Sequence, residues 1–293
     1  MVEMNIVNIT LIYIKYTIME ALKWIFRIIG EGIVPPKYKQ AERDTSANNN
    51  IICLNLRRDS YTDGLNNWKY RRNAIIDMID HYKPGVFCVQ ECMPHMWRFL
   101  KKNTKENYNG FFLDAFTKKI SFIPVSEGIG IIYADYYKCF DKGYFNLSKK
   151  FGFKTKNWRV CQYVGLTNTI TGESFYVFNT HLDHESREAR IEGCALIDKK
   201  IKEITGSYQT FICGDFNAEV TWHGVKEFAE IYYCDALPTT VTWFGKKNGE
   251  ICIDFIFSKY DTKPHYYNII TDTFGVPYLS DHYPLILQKY GNN

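Results

Sequence analysis

Residues 210–217 read Thr-Phe-Ile-Cys-Gly-Asp-Phe-Asn (TFICGDFN), an apolar run that stops at an acid and then an amide. Short apolar runs bounded by polar or turn signals read as buried strands. In an extended segment Asp215 and Asn217 share one side, and Gly214 is expected to permit the turn that exposes them. The pattern recurs along the chain. Asn55 closes ICLN, Gln90-Glu91 follow VFCV, Asn179-Thr180-His181 follow FYVF, Asp254 lies in CIDFIF, and Ser280-Asp281-His282 precede YPLIL. A carboxylate, amide or imidazole at each strand end predicts one polar cluster on one edge of a sheet core.

Two helices stand out between the runs. Asn66-Asn67 can cap one over about Trp68 to Tyr82, with Ile75, Ile76 and Ile79 inward and Pro84 beyond its end. A second is expected from about Glu185 to Thr205, with Ile191, Leu196, Ile197, Ile201 and Ile204 apolar and Gly206 as its stop. From Ser121 to Ile170 the sequence reads as strands and loops. The fold class is therefore α/β, with two packed sheets and helices outside.

The 293 residues, 46% apolar and 23% charged, suit an ordinary globular chain with a substantial core. A net charge of +4 comes with short basic clusters at Arg71-Arg72, Lys149-Lys150 and Lys246-Lys247. These read first as solvated surface; they suit an anionic substrate without demanding nucleic acid. Nine cysteines include no CxxC pair and no zinc-like Cys/His spacing. Cys53, Cys88, Cys213 and Cys252 sit in strand-like runs and read as small buried hydrophobes in a reducing compartment. The expected location is intracellular, in the cytoplasm; sequons at Asn8 and Asn146 do not outweigh this.

Residues 1–36 differ from the rest. The uncharged run Met4 to Ile14 is too short to span a bilayer as a helix. From Met19 to Ile29, Leu22, Ile25, Phe26 and Ile29 fall on one helical face, with Lys23 and Arg27 largely off it. Such a segment, with Trp24, could lie in a membrane interface or pack on the catalytic domain. A basic n-region and a clear small-residue cleavage site are both missing, which argues against a signal peptide. Residues 37–50 are polar and Asn-rich and read as a linker. The catalytic domain is placed at 51–290.

Each motif carries chemistry. Glu91 emerges at the end of a buried strand, and hard cations such as Mg²⁺ take oxygen ligands. Asp215 can orient or deprotonate a water, while Asn217 holds that water or a phosphate oxygen without adding charge. His181 and His282 can handle protons or stabilise developing charge. Each needs an orienting acid: Asp254 for His282 and Glu127 for His181. Asp281 would sit beside the metal, and Asp183 and His184 behind it. Arg159, in NWRVCQY, could fork onto a phosphate.

These residues resemble the endonuclease/exonuclease/phosphatase superfamily, whose members include DNase I, abasic-site endonucleases, inositol polyphosphate 5-phosphatases and neutral sphingomyelinases. The resemblance covers about 240 residues, with every motif in family order. It implies a DNase I-like four-layer α/β sandwich, two packed mixed β-sheets flanked by helices, and Mg²⁺- or Mn²⁺-dependent phosphoester hydrolysis with water as nucleophile. It also implies roles. Asn55 and Glu91 take the metal places with Asp281 alongside; Asp215 and Asn217 activate water and bind phosphate. His181 and His282 are the active-site histidines, with Glu127 and Asp254 as partners, and Arg159 contacts phosphate. The text NLRRDSYTDGLNNWKYRR with NTHLDH and SDHYP is most similar to a branch without a settled substrate. The YVPN text of abasic-site endonucleases is replaced by FNTHLDH.

The substrate stays open between DNA or RNA and a lipid, sugar or nucleotide phosphate. A non-catalytic, membrane-tethered binding module is the alternative of a different class. It would require a lost core residue, and none is lost. No obligate protein partner is evident.

Overall fold

The computed structural model describes residues 49–120, 123–147, 158–234, 240–241, 250–259 and 265–289. The expectations for residues 1–36, and for most of the linker 37–50, lie outside them. Residues 42–116 with 127–293 form one compact unit, which carries the site described below.

The decisive stretch forms strand β8 (Gln209–Asp215), which lies in a five-stranded sheet. That sheet is ordered β11 (Asp254–Lys259), β8, β7 (Ser174–His181), β6 (Val160–Asn168), β5 (Tyr137–Asn146). A six-stranded sheet is ordered β12 (His265–Ile269), β13 (Leu285–Lys289), β1 (Ile51–Asn55), β2 (Val86–Cys92), β4 (Ile123–Ala134), β3 (Tyr108–Ile120). A two-residue pair, β9 (Thr240–Val241) with β10 (Glu250–Ile251), stands apart. Four α-helices lie among the described residues: α1 (Trp68–Tyr82), α2 (Pro94–Asn103), α3 (Arg187–Thr205) and α4 (Val225–Ala229).

Alternation along the strands builds the layers. Ile51, Cys53, Val86, Cys88 and Ile131 of one sheet share a core with Val164, Phe175, Val177, Phe211 and Cys213 of the other. The opposite face of β7, β8 and β11 presents Phe178, Ile212, Phe255 and Phe257 to Cys194, Ile197 and Ile201 of α3 and to Phe228 of α4. Trp97 of α2 covers Gly130 of β4 and stacks on Phe112, closing the far side of the larger sheet. The expected sandwich of two mixed sheets with helices outside is the architecture found.

α1 spans the predicted residues, and the Asn67 side chain accepts the Lys69 N–H at its start. α3 starts at Arg187 rather than Glu185, capped by the Ser186 hydroxyl. Of its apolar residues Ile191 is exposed, while Arg190, Gly193 and Cys194 are buried. α2 is additional to the two expected helices, and Pro94 at its first turn with Met96 and Leu100 one turn apart is its sequence signal. Cys53, Cys88 and Cys213 are buried, while Cys252 is half-buried ahead of β11.

Register gathers the motifs. β1 and β2 run parallel, as do β7 and β8, so their C-terminal ends fall on one edge. His181 pairs with Asp215, and Asp254 at the start of antiparallel β11 pairs with the same Asp215. Gln90 and Asn179 tie the sheets beneath that edge. Gln90 Nε2 donates to Asn179 Oδ1 at 2.7 Å, and Asn179 Nδ2 donates to the Val89 and Gly130 carbonyls at 3.0 and 2.9 Å.

Gly214 does not form the expected turn. It lies inside β8, and a Cβ there would sit 2.4 Å from the Thr180 carbonyl oxygen. The glycine is required by the close approach of β7.

Candidate active site

Asp215 is the hub. Its Oδ2 accepts from Asn55 Nδ2 at 3.0 Å and lies 3.5 Å from His181 Nε2 and 4.0 Å from His282 Nε2. Its Oδ1 accepts the Asn217 N–H at 2.8 Å. That bond is an Asx-type turn, so the chain bends after Asp215 and the two side chains do not share an extended face as the sequence suggested. The Asn217 amide donates to the Leu182 carbonyl at 3.1 Å.

The Asn55 amide nitrogen is within 3.3 Å of Glu91 as well as Asp215, and Oδ1 accepts the Arg57 N–H at 2.9 Å. As arranged, Asn55 offers the cluster its NH₂ and holds two carboxylates together. Glu91 Oε2 accepts the Arg58 N–H at 3.0 Å. A bulge between Val89 and Cys92 turns Glu91 out of the ladder. Arg57, Glu91 and Asn217 all have positive φ, near 50°. Non-glycine residues seldom adopt this conformation, and here it collects at the cluster.

Asp254 Oδ2 lies 2.7 Å from His282 Nδ1, the pairing expected from sequence. Burial opposes a charge on His282, but Asp254, with Asp215 and Asp281, raises its pKa well above the usual value. His181 is the opposite case: burial, then the Arg159 charge, lowers its pKa well below the usual value. The two histidines are thus pushed in opposite directions, His282 toward its charged form by Asp254 and His181 toward its neutral form by burial.

Glu127 does not hold His181. It lies 3.9 Å from Arg58 and shares a small pocket with Glu91, Arg159 and His181. Burial and then the Glu91 charge push its pKa up to about 7. Arg159 is buried there, with Nη2 3.3 Å from His184 Nδ1. Asp183 accepts the Glu185 and Ser186 N–H groups and shapes the entry to α3. Asp281 lies 3.8 Å from Arg57 Nε and accepts from the Ser280 hydroxyl.

Arg71 corrects the reading of its basic pair as solvated surface. It is buried and donates to four carbonyls: Leu56 at 2.9 Å, Arg57 at 3.1 Å, Asn66 at 2.5 Å and Leu279 at 2.5 Å. It joins the loop after β1 to the loop carrying Asp281 and His282. Arg57, forked onto Asp63 at 3.1 Å, and Arg58 were likewise not assigned to the site.

The donor set suits a hard cation. Burial and then Asp254 push Asp215 up to about 7, and burial together with Glu91 raises Asp281. Glu91 stays below the usual range because the Arg58 N–H and Arg57 outweigh its burial. The crowded carboxylates all offer oxygen, the ligand type a hard cation takes. The ligand atoms of Asp215, Asp254 and His282 lie within 4.8 Å of one another. Glu91, with Asp281 and Asp215 as neighbouring carboxylates, offers a second face made only of oxygen donors.

The model of the Endonuclease/Exonuclease/phosphatase family matches residues 53–282. The chain belongs to the endonuclease/exonuclease/phosphatase family. A search of curated proteins finds no match. Among solved structures, the chain is similar to a mannosyl-6-phosphatase from Bacteroides thetaiotaomicron, with TM-score 0.72 and 23% identity over 83% of this chain and 99% of that one. An endonuclease/exonuclease/phosphatase from Bacteroides vulgatus gives 0.70 and 26%, over 82% and 98%. D. rerio TDP2, complexed with a single-strand DNA product, gives 0.63 and 18%, over 83% and 98%. These likenesses establish the DNase I-like fold. Members of this family hydrolyse phosphoester bonds, and the site assembled here falls wholly within the matched residues.

Proposed function

We propose that this family member is a divalent-metal-dependent phosphoester hydrolase with water as nucleophile. The observation that carries the reading is Asp215, a buried carboxylate with its pKa raised to about 7, flanked by Asn55, His181 and His282. A group poised near 7 is suited to taking a proton at physiological pH.

Glu91, with Asp281 and the carboxylate face of Asp215, would hold the cation. When bound, Mg²⁺ or Mn²⁺ would supply charge stabilisation at the phosphate oxygens. Asp215 accepts a proton from the attacking water. Asn55 and the Asn217 N–H fix the carboxylate for that task. His282, kept cationic by Asp254, donates toward the oxygens on which charge develops. Arg159 binds a phosphate oxygen from the pocket wall. Arg57 and Arg58 hold the loop that backs Glu91.

The charge balance gives a pH signature. Asp215 and Glu127 have folded pKa values of about 7, above the unfolded values. The metal-free folded state therefore binds more protons than the unfolded state between about pH 4 and 7, and these groups lower stability as pH rises through that window. A cation favours their ionised forms. The rise in Tm on adding Mg²⁺ should be larger at about pH 8 than at about pH 5.5. An equal rise at both would remove Asp215 from the metal site.

The fold does not choose the substrate: one similar structure is a sugar phosphatase and another holds DNA. Purified full-length protein with Mg²⁺ should be offered plasmid, short RNA, sugar phosphates, nucleotides and phosphoinositides. A nuclease would show activity falling steeply with salt. Selective phosphate release with intact plasmid would establish a small-molecule or lipid phosphatase. The amphipathic face predicted within residues 1–36 favours the lipid arm. Among the described residues, no helix is long and apolar enough to cross a membrane.

A further inference from the structure

A cleft of 370 Å³ is lined by Arg187, Arg190, Thr221, Trp222 and His223. One wall is the first turn of α3, and the other is the loop that follows Asn217. Both walls begin at site residues. Arg190 Nη1 donates to the carbonyl of Asp183 at 2.8 Å, and Asp183 closely follows His181.

The walls are fixed. Trp222 N–H donates to the Glu219 carbonyl at 2.9 Å, and Lys226 N–H to the Trp222 carbonyl at 2.8 Å. Glu227 accepts from the Gly224 N–H and meets His223 Nδ1 at 2.8 Å. Gly224 has φ 93°, and a Cβ there would lie 2.9 Å from Ile191 Cα, so only glycine lets this loop close on α3.

Arg190 is the unexplained group. It is 7% exposed, yet its contacts are the Asp183 carbonyl and the Trp222 ring, 5.8 Å from the guanidinium carbon. It makes no ion pair among the described residues. Nearby carboxylates are engaged elsewhere: Asp183 with the Glu185 and Ser186 N–H groups, Glu188 with the Ser186 hydroxyl, and Glu227 with His223 and Gly224. A buried arginine is seldom left without a counter-charge. Arg187 stands one turn away on the same helical face, at the positive end of the helix dipole. Trp222, 49% exposed, adds an open aromatic face.

We propose that this cleft takes a second phosphate of the substrate, with the sugar or base that bears it lying on Trp222. The proposal rests on the phosphoesterase reading and deepens it: the preferred substrate carries phosphate at two positions, as a sugar bisphosphate or a nucleotide chain does. Arg187 and Arg190 bind that phosphate, and its charge supplies the counter-ion Arg190 lacks. The cleft sets affinity and register; it takes no part in bond cleavage.

The test separates the cleft from the reaction. In EDTA, without metal, the crowded carboxylates of the catalytic cluster repel phosphate and the cleft remains. Full-length ¹⁵N-labelled protein is titrated with glucose 6-phosphate, thymidine 5′-monophosphate, glucose and thymidine. The indole N–H signals of its six tryptophans are followed, with Trp222 assigned from Trp222→Ala. The Trp222 signal should shift saturably with the phosphates and not with glucose or thymidine, and Arg187→Gln should weaken binding about tenfold. A stronger response to the nucleotide identifies the base as the ring on Trp222, and an equal response identifies the sugar. In Mg²⁺, Arg187→Gln should raise KM about tenfold for a bisphosphate substrate only, with kcat unchanged. No saturable shift, or a shift that Arg187→Gln leaves untouched, overturns the proposal. Binding in the cleft without metal-dependent hydrolysis would retire the reaction and keep the cleft.

Discussion

Asparagine in place of Asp215 is expected to lower kcat by about a thousandfold or more and leave the fold intact. The replacement keeps size, and its one oxygen can still accept either the Asn217 N–H or the Asn55 amide, but it cannot accept a proton. The carboxylate it removes is buried with a pKa raised to about 7, so ionising it costs the folded state free energy above neutral pH. The metal-free Asp215→Asn protein should therefore melt above wild type at about pH 8, a stability gain paired with lost activity. Stopped assays and thermal melts on the same preparation check both halves. Retained turnover would remove Asp215 from the reaction, and a lower Tm would contradict the placement of its charge.

The second large effect is structural. Arg71→Leu is expected to destabilise the protein by about 3–5 kcal/mol, read from urea unfolding. The loss has a clear source. Four carbonyls, from Leu56, Arg57, Asn66 and Leu279, share one buried guanidinium, and leucine satisfies none of them. Arg71→Lys should rescue little, because a point charge cannot span carbonyls on three segments. Activity should fall in both variants, since the loops bearing Glu91's support and the Asp281-His282 pair lose their common anchor. A stability change under about 1 kcal/mol would show that these bonds are made equally well to water.

The strands were legible because burial writes itself into composition. ICLN, VFCV, FYVF and TFIC are apolar on both sheet faces, and register then brought their polar ends to one edge. The pairing of Asp254 with His282 was also legible, through residue order and chemistry. Other parts depend on distances that no spacing encodes. His181 faces Asp215 instead of Glu127, because β7 and β8 are register partners while Glu127 sits in the other sheet, across the pocket. Gly214 looked like a turn residue, but a neighbouring strand's backbone requires it. Arg71 looked like surface charge, and its partners are backbone carbonyls, which leave no mark in sequence. Arg190 carries no signal of its own in the sequence, and its burial accompanies a loop packed close by Gly224.

The central claim is that this cluster hydrolyses phosphoesters with a divalent cation. It is tested most directly by phosphate or strand release from the substrate panel by the full-length protein, in EDTA and after restoring Mg²⁺ or Mn²⁺, beside Asp215→Asn. The account predicts turnover of at least one substrate that vanishes in EDTA, returns with the cation and is lost in the variant. Turnover that persists in EDTA, or that Asp215→Asn retains, would contradict it.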